Sequence, residues 1–230
     1  MSKLTKALTA AAGNAGDDNL YVEDVFSTYL YTGNGSNGLA IDNGIDLAGE
    51  GGLVWIKSRG SENHSLATTD QGLSNQLASN LINGNIAWGN MQSFNSDGFR
   101  LTNAGTTNTN TVKYASWTFR KAEKFFDVVT YTGDGASSRT IAHSLGSVPA
   151  FMTVKSSSNV SGWRTYHASL GATQYVQLQT TAAAATYNIW NDTTPTDSVF
   201  SISTDVNANG VTYVAYLFAS DAGGFGDDGS

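Results

Sequence analysis

The segment Tyr31-Thr32-Gly33-Asn34-Gly35 returns 100 residues later as Tyr131-Thr132-Gly133-Asp134-Gly135. Other pairs follow in the same order at nearly the same separation. Leu53-Val54-Trp55-Ile56-Lys57 answers to Phe151-Met152-Thr153-Val154-Lys155, and His64-Ser65-Leu66 to His167-Ala168-Ser169-Leu170. Phe99-Arg100-Leu101 matches Phe200-Ser201-Ile202, and Tyr114–Phe119 matches Tyr213–Phe218. A repeat of this period requires one half to adopt a fold that the other can also adopt, and it predicts a tandem duplication.

Each copy reads as β-structure. Residues 25–32 and 126–132 are rich in β-branched and aromatic side chains and run into Gly-Asn-Gly or Gly-Asp-Gly, which predicts a hairpin or loop. Residues 53–57 and 151–155 are short apolar strands, and 112–119 and 211–218 close the copies. Short helices are conceivable at 74–81 and 182–185, but neither carries a sustained 3.6-residue pattern. With only two prolines, at 149 and 195, the turn chemistry falls to Gly, Asn and Asp. The expected fold is all-β: two tandem β-sandwich, jelly-roll-like modules behind a short N-terminal arm. Residues 1–22 form the arm, 23–121 and 122–222 the two modules, and 223–230 a flexible Gly/Asp tail or linker. Lys121, Glu123 and Lys124 mark a charged hinge short enough to hold the modules close together.

Composition removes whole classes of function. Twelve basic against 19 acidic residues give a net charge of −7, the wrong sign for neutralising a phosphate backbone, so no nucleic-acid partner is expected. The chain has no cysteine, hence no disulfide, thiolate nucleophile or cysteine zinc site. No apolar run approaches the roughly 18 residues that cross a bilayer, and the start lacks the apolar length of a signal peptide. Gly33-Asn34-Gly35-Ser36-Asn37-Gly38 fits a dinucleotide fingerprint, but no helix pattern follows it to meet a pyrophosphate. Asp205-Val206-Asn207-Ala208-Asn209-Gly210 opens like a calcium loop, yet its twelfth position is Tyr216 where a bidentate Glu belongs. Asn209-Gly210 reads instead as a tight hairpin turn. The histidines, His64, His143 and His167, sit in no hydrolase motif. Because His64 and His167 fall at matching repeat positions, they predict a shared packing or hydrogen-bond role. No enzyme, cofactor or metal site is expected.

Two sets of residues are candidates for binding. Trp55 and Trp117 lie in apolar strands and predict core positions. Trp88, Trp163 and Trp190 lie among Asn, Gly, Ser and Asp, where an exposed indole can stack on a sugar face, so they are the candidate glycan contacts. In the arm, Leu4, Leu8 and Ala11 share a face at helical spacing, and with Tyr21 they form a candidate docking peptide that orders on its partner.

A set of segments resembles a domain recurring in virion-associated proteins of tailed bacteriophages, notably marine and cyanobacterial ones. The segments are 23–31, Gly44-Ile45-Asp46-Leu47, 53–57, Ser96-Asp97-Gly98-Phe99, 115–121, 140–149 and 213–218; the resemblance extends over roughly residues 20 to 226. It implies a virion structural protein, tail-fibre-like or adhesin-like and acting in host attachment; a capsid decoration or neck protein and a carbohydrate-binding module are the alternatives. It carries over no catalytic residue. The implied partners are other virion proteins, further copies of the chain with a trimer favoured, and a host-surface glycan.

Overall fold

The computed structural model describes residues 20–220. Leu4, Leu8, Ala11 and the Gly/Asp tail lie outside them. The first half carries β1 (Phe26–Thr32), β2 (Leu39–Asp42), β3 (Gly52–Ser58), β4 (Ser65–Thr68), β5 (Gln76–Leu77), β6 (Met91–Asn95), β7 (Gly98–Leu101) and β8 (Lys113–Arg120). Three single-turn helices, α1 (Val22–Val25), α2 (Leu47–Glu50) and α3 (Gly105–Asn108), punctuate it. The second half carries β9 (Phe126–Thr132), β10 (Arg139–Ala142), β11 (Pro149–Ser156), β12 (Arg164–His167), β13 (Gln174–Tyr175), β14 (Ala185–Thr186), β15 (Val199–Ile202) and β16 (Thr212–Ala219). The segments weighed as helices are extended or irregular instead: β5 lies within 74–81 and β14 begins at Ala185.

The chain is all-β and its sheets are antiparallel. The first half forms one sheet in the order β1-β8-β3-β4-β5 and a smaller one, β2-β7-β6. The second forms β9-β16-β11-β12 and β10-β15, with β13-β14 as a separate pair. Reading β1 as β9, β2 as β10 and so on, the order of the large sheets is the same. Their registers also agree: Phe119 stands between Phe26 and Leu53, and Phe218 between Phe126 and Phe151.

The central strands of the large sheets are covered on both faces. On β3, Val54 and Ile56 point into a core shared with β2, β6 and β7, whereas Leu53 points the opposite way. On β16, Tyr213, Ala215 and Leu217 join the core of the second half, while Val214 and Tyr216 face Leu53, Leu66 and Leu77 of the first. Four layers therefore stack in series around three cores, and the middle core belongs to neither half alone. This explains the unbroken apolar run Leu53-Val54-Trp55-Ile56: a strand covered on both sides loses the alternation of a half-exposed one.

The repeated Gly-Asn/Asp-Gly motif corrects the hairpin expectation. β1 pairs with β8, and β2 with β7, so the motif carries the chain between sheets. A buried asparagine locks each copy. Asn34 N–H donates to Asn108 Oδ1 (2.8 Å), and Asn108 Nδ2 donates to Ser36 O (2.8 Å). In the second half Asp134 N–H donates to Asn207 Oδ1 (3.2 Å), and Asn207 Nδ2 to Ala136 O (3.0 Å). A Cβ on Gly33 or Gly133 would lie 2.2 Å from the carbonyl oxygen of Thr109 or Ala208, so the backbone crossing leaves no room for a side chain. Beside each turn, Tyr31 stacks on Tyr114 at 5.0 Å and Tyr131 on Tyr213 at 5.2 Å. Asn209-Gly210 likewise joins β15 to β16 without pairing them, since β15 pairs with β10.

Candidate functional site

The seam between the halves is held by several polar side chains, and one indole crosses it outright. Trp163 is 0% exposed, and its Nε1–H donates to two carbonyls of the other half, Ala78 O (3.2 Å) and Leu81 O (3.0 Å). Its indole lies 6.0 Å from the ring of Tyr216. Trp190 is also 0% exposed, edge-on to Tyr166 at 6.0 Å, with its N–H held by Gln174 O (3.2 Å). Neither indole offers a face to a sugar, which corrects their assignment as glycan contacts. Both lie in irregular segments with polar neighbours, but the indoles turn inward because they bury more apolar area than any other side chain there. Trp88 is half-buried in the segment between β5 and β6. Tyr21 is half-buried too, and its N–H donates to Asp24 Oδ2 (3.0 Å) across α1.

The strand register reassigns the histidines. Trp55 pairs with Leu66 as Thr153 pairs with Thr165, so His64, two residues before Leu66, stands where Trp163 stands in the second half. His167 takes the place of Thr68, and its Nδ1 lies 2.7 Å from the hydroxyl of the nearby Ser169. The sequence match His64/His167 is four residues out of register. The hydrogen bonds agree with the new alignment. His64 N–H donates to Asn80 Oδ1 (3.1 Å), and Trp163 N–H donates to Gln179 Oε1 (3.0 Å).

These corresponding amides border one open cleft of about 630 Å³. The first half contributes Trp55, His64, Ser79 and Asn80, and the second contributes Leu178, Gln179, Thr180 and Thr181. Trp55 is half-buried against the middle core and edge-on to Trp117 at 6.0 Å. The two tryptophans expected in a module core thus stand at the seam. Trp55 Nε1–H donates to His64 Nδ1 (3.4 Å), and Ser79 Oγ lies 2.7 Å from the same nitrogen. Indole is a donor only, so Nδ1 is the acceptor and the imidazole proton is on Nε2. Burial, helped by the nearby Lys57 ammonium, lowers the His64 pKa and keeps the ring neutral.

Two further features brace the seam. Lys121 Nζ reaches Asp70 of the first half (3.4 Å) and Asp127 of the second (3.3 Å). The Asp127 carboxylate, nearly buried, also accepts from Val128 N–H and Ser144 N–H (both 2.8 Å). The charged hinge is therefore an ion-paired bracket. Lys155 is 0% exposed, donating to Ile82 O (3.2 Å) across the seam and to Ser156 O (2.8 Å). Burial pulls its pKa down to about 8.

The residues resembling a calcium loop have other partners. Asp205 forms a close ion pair with Arg164 (2.6 Å), and Asn207 holds the Gly133 turn. Among the described residues no cluster of three or more His, Asp or Glu could hold a metal ion. Nor is any helix among them long and apolar enough to cross a membrane.

Residues 22–230 match the family model of a domain of unknown function, DUF7483. No curated protein matches the chain, and no solved structure matches it.

Proposed function

The chain belongs to the DUF7483 family, and from that premise we propose that it is a structural protein of a phage virion, a tail-associated fibre or adhesin-like component acting in host attachment. One observation carries this reading beside the sequence resemblance. Trp163, Lys121, Asp127 and Lys155 are all committed to backbone or ion-pair contacts that fasten two β-modules into one block. Material for an assembly needs such a block, presenting a sparsely charged surface and requiring no redox chemistry. The proposed partners are other virion proteins and further copies of this chain, in a closed symmetric oligomer with a trimer favoured. We further propose that the halves descend from one duplicated module, in line with the common strand order and the corresponding asparagine and tyrosine contacts.

Quantitative mass spectrometry and immunogold labelling of purified particles test the placement. A few copies at the tail, in multiples of three, are expected. Absence from particles overturns the proposal, and hundreds of copies on the head replace it with capsid decoration. Light scattering on the purified chain tests the oligomer, with three times the monomer mass expected.

A further inference from the structure

We propose that the seam cleft between Trp55 and Thr181 is a binding site for a neutral saccharide unit. This goes beyond the virion reading and does not depend on where the chain resides.

The first argument is charge. No lining residue of the cleft carries a formal charge, because its one titratable group, His64, is held neutral. An ammonium ligand would face the Lys57 charge behind His64, and a phosphate or carboxylate would meet no charged side chain on the lining itself. A neutral ligand needs no such partner.

The second argument is the kind of polar group present. Asn80 Nδ2 donates one of its two hydrogens to Asn63 Oδ1 (2.8 Å), and Gln179 Nε2 donates one of its two to Gln177 Oε1 (2.9 Å). Each amide oxygen accepts one backbone N–H. Each amide therefore keeps one donor and one acceptor site while its orientation is already fixed. His64 Nε2–H adds a donor, and the Thr180 and Thr181 hydroxyls add groups of both kinds. Mixed donors and acceptors at preset positions match vicinal hydroxyls, each of which also donates and accepts.

The third argument is the wall. Trp55, tethered through Nε1 and braced by Trp117, supplies an immobile apolar surface of the kind that packs against the C–H face of a sugar ring. The cleft volume falls within the roughly 300–1,000 Å³ of small-ligand sites.

The test is an array of neutral and acidic glycans probed with the full chain, followed by titration of the best neutral glycan with tryptophan fluorescence as the readout. Binding restricted to neutral glycans is expected. Asn80→Ala removes one oriented amide and weakens it about tenfold. Thr181→Trp alters an exposed residue, fills the cleft and abolishes binding without lowering the melting temperature. Trp88→Ala leaves binding unchanged. The proposal is overturned if the folded wild-type chain binds no neutral glycan or prefers acidic ones. It is also overturned if Thr181→Trp still binds, or if Trp88→Ala is the variant that loses binding.

Discussion

Lys57 and Lys155 occupy matching positions near the ends of β3 and β11, yet their surroundings are opposite. Lys57 reaches outward to the carbonyls of Gly60 and Glu62, at 3.3 and 3.0 Å. Lys155 is sealed beneath the segment that carries Ile82. The next matching pair diverges in the same sense: His64 borders an open cleft and Trp163 plugs the seam. The two halves thus share a strand order and differ in chemistry, one leaving a gap beside its third strand and the other filling it. Similar folds at the two ends of a seam need not make it symmetric, and here the asymmetry produces the cleft.

The largest effect should come from the plug. Trp163→Ala removes a fully buried indole and leaves two carbonyls without their donor, so it should cost about 3–5 kcal/mol in chemical denaturation. His64→Ala, at the matching position, should cost less than about 1 kcal/mol. Equal losses would contradict the contrast between a plug and a border.

The turns supply the opposite control, where the halves should behave alike. Gly33→Ala and Gly133→Ala each force a methyl group against a carbonyl oxygen and should each destabilise by about 1–3 kcal/mol. A difference of more than about 1 kcal/mol between them would show that the turns are not interchangeable.

Lys155 should make stability depend on pH. Its folded pKa of about 8 lies below its ordinary value of 10.5. Between those values the unfolded chain binds a proton that the folded chain does not, so stability should rise with pH from about 8 toward 10.5. Below 8 the buried ammonium is a standing penalty. Lys155→Met should therefore raise stability by about 1–2 kcal/mol at pH 7 and flatten that rise, whereas Lys57→Met should not raise stability at pH 7. Denaturation midpoints at pH 7, 9 and 10.5 separate the two.

The smallest expected change is at Tyr216, whose hydroxyl is buried in the middle core without a side-chain or backbone partner among the described residues. Tyr216→Phe should be neutral or stabilise by up to about 1 kcal/mol in the same assay.

The sequence exposed the strands well, because their cause is local: β-branched and aromatic runs bounded by Gly, Asn and Asp. The crossing turns were visible as motifs but misread as hairpins, since no local rule says whether the next strand pairs with the last or joins another sheet. Trp163 and Trp190 have polar neighbours in sequence and apolar neighbours in space, while Trp55 packs against the middle core and also borders the cleft. Their burial is decided by a partner strand or an opposite half many residues away. A better clue for the cleft was available: aligning the halves by strand register, not by identical letters, places His64 opposite Trp163 and reveals a large residue replaced by a small polar one.

The shared middle core also has a consequence during synthesis. When the ribosome has released β8, the face formed by Leu53, Leu66, Leu77 and Phe119 still lacks its full cover, because Phe126, Val128 and Trp163 follow it and Val214 and Tyr216 are about a hundred codons away. At translation rates of about 5–20 residues per second, that face waits roughly 5–20 s for its last partners, and ribosomes following on the same message carry the same incompletely covered surface.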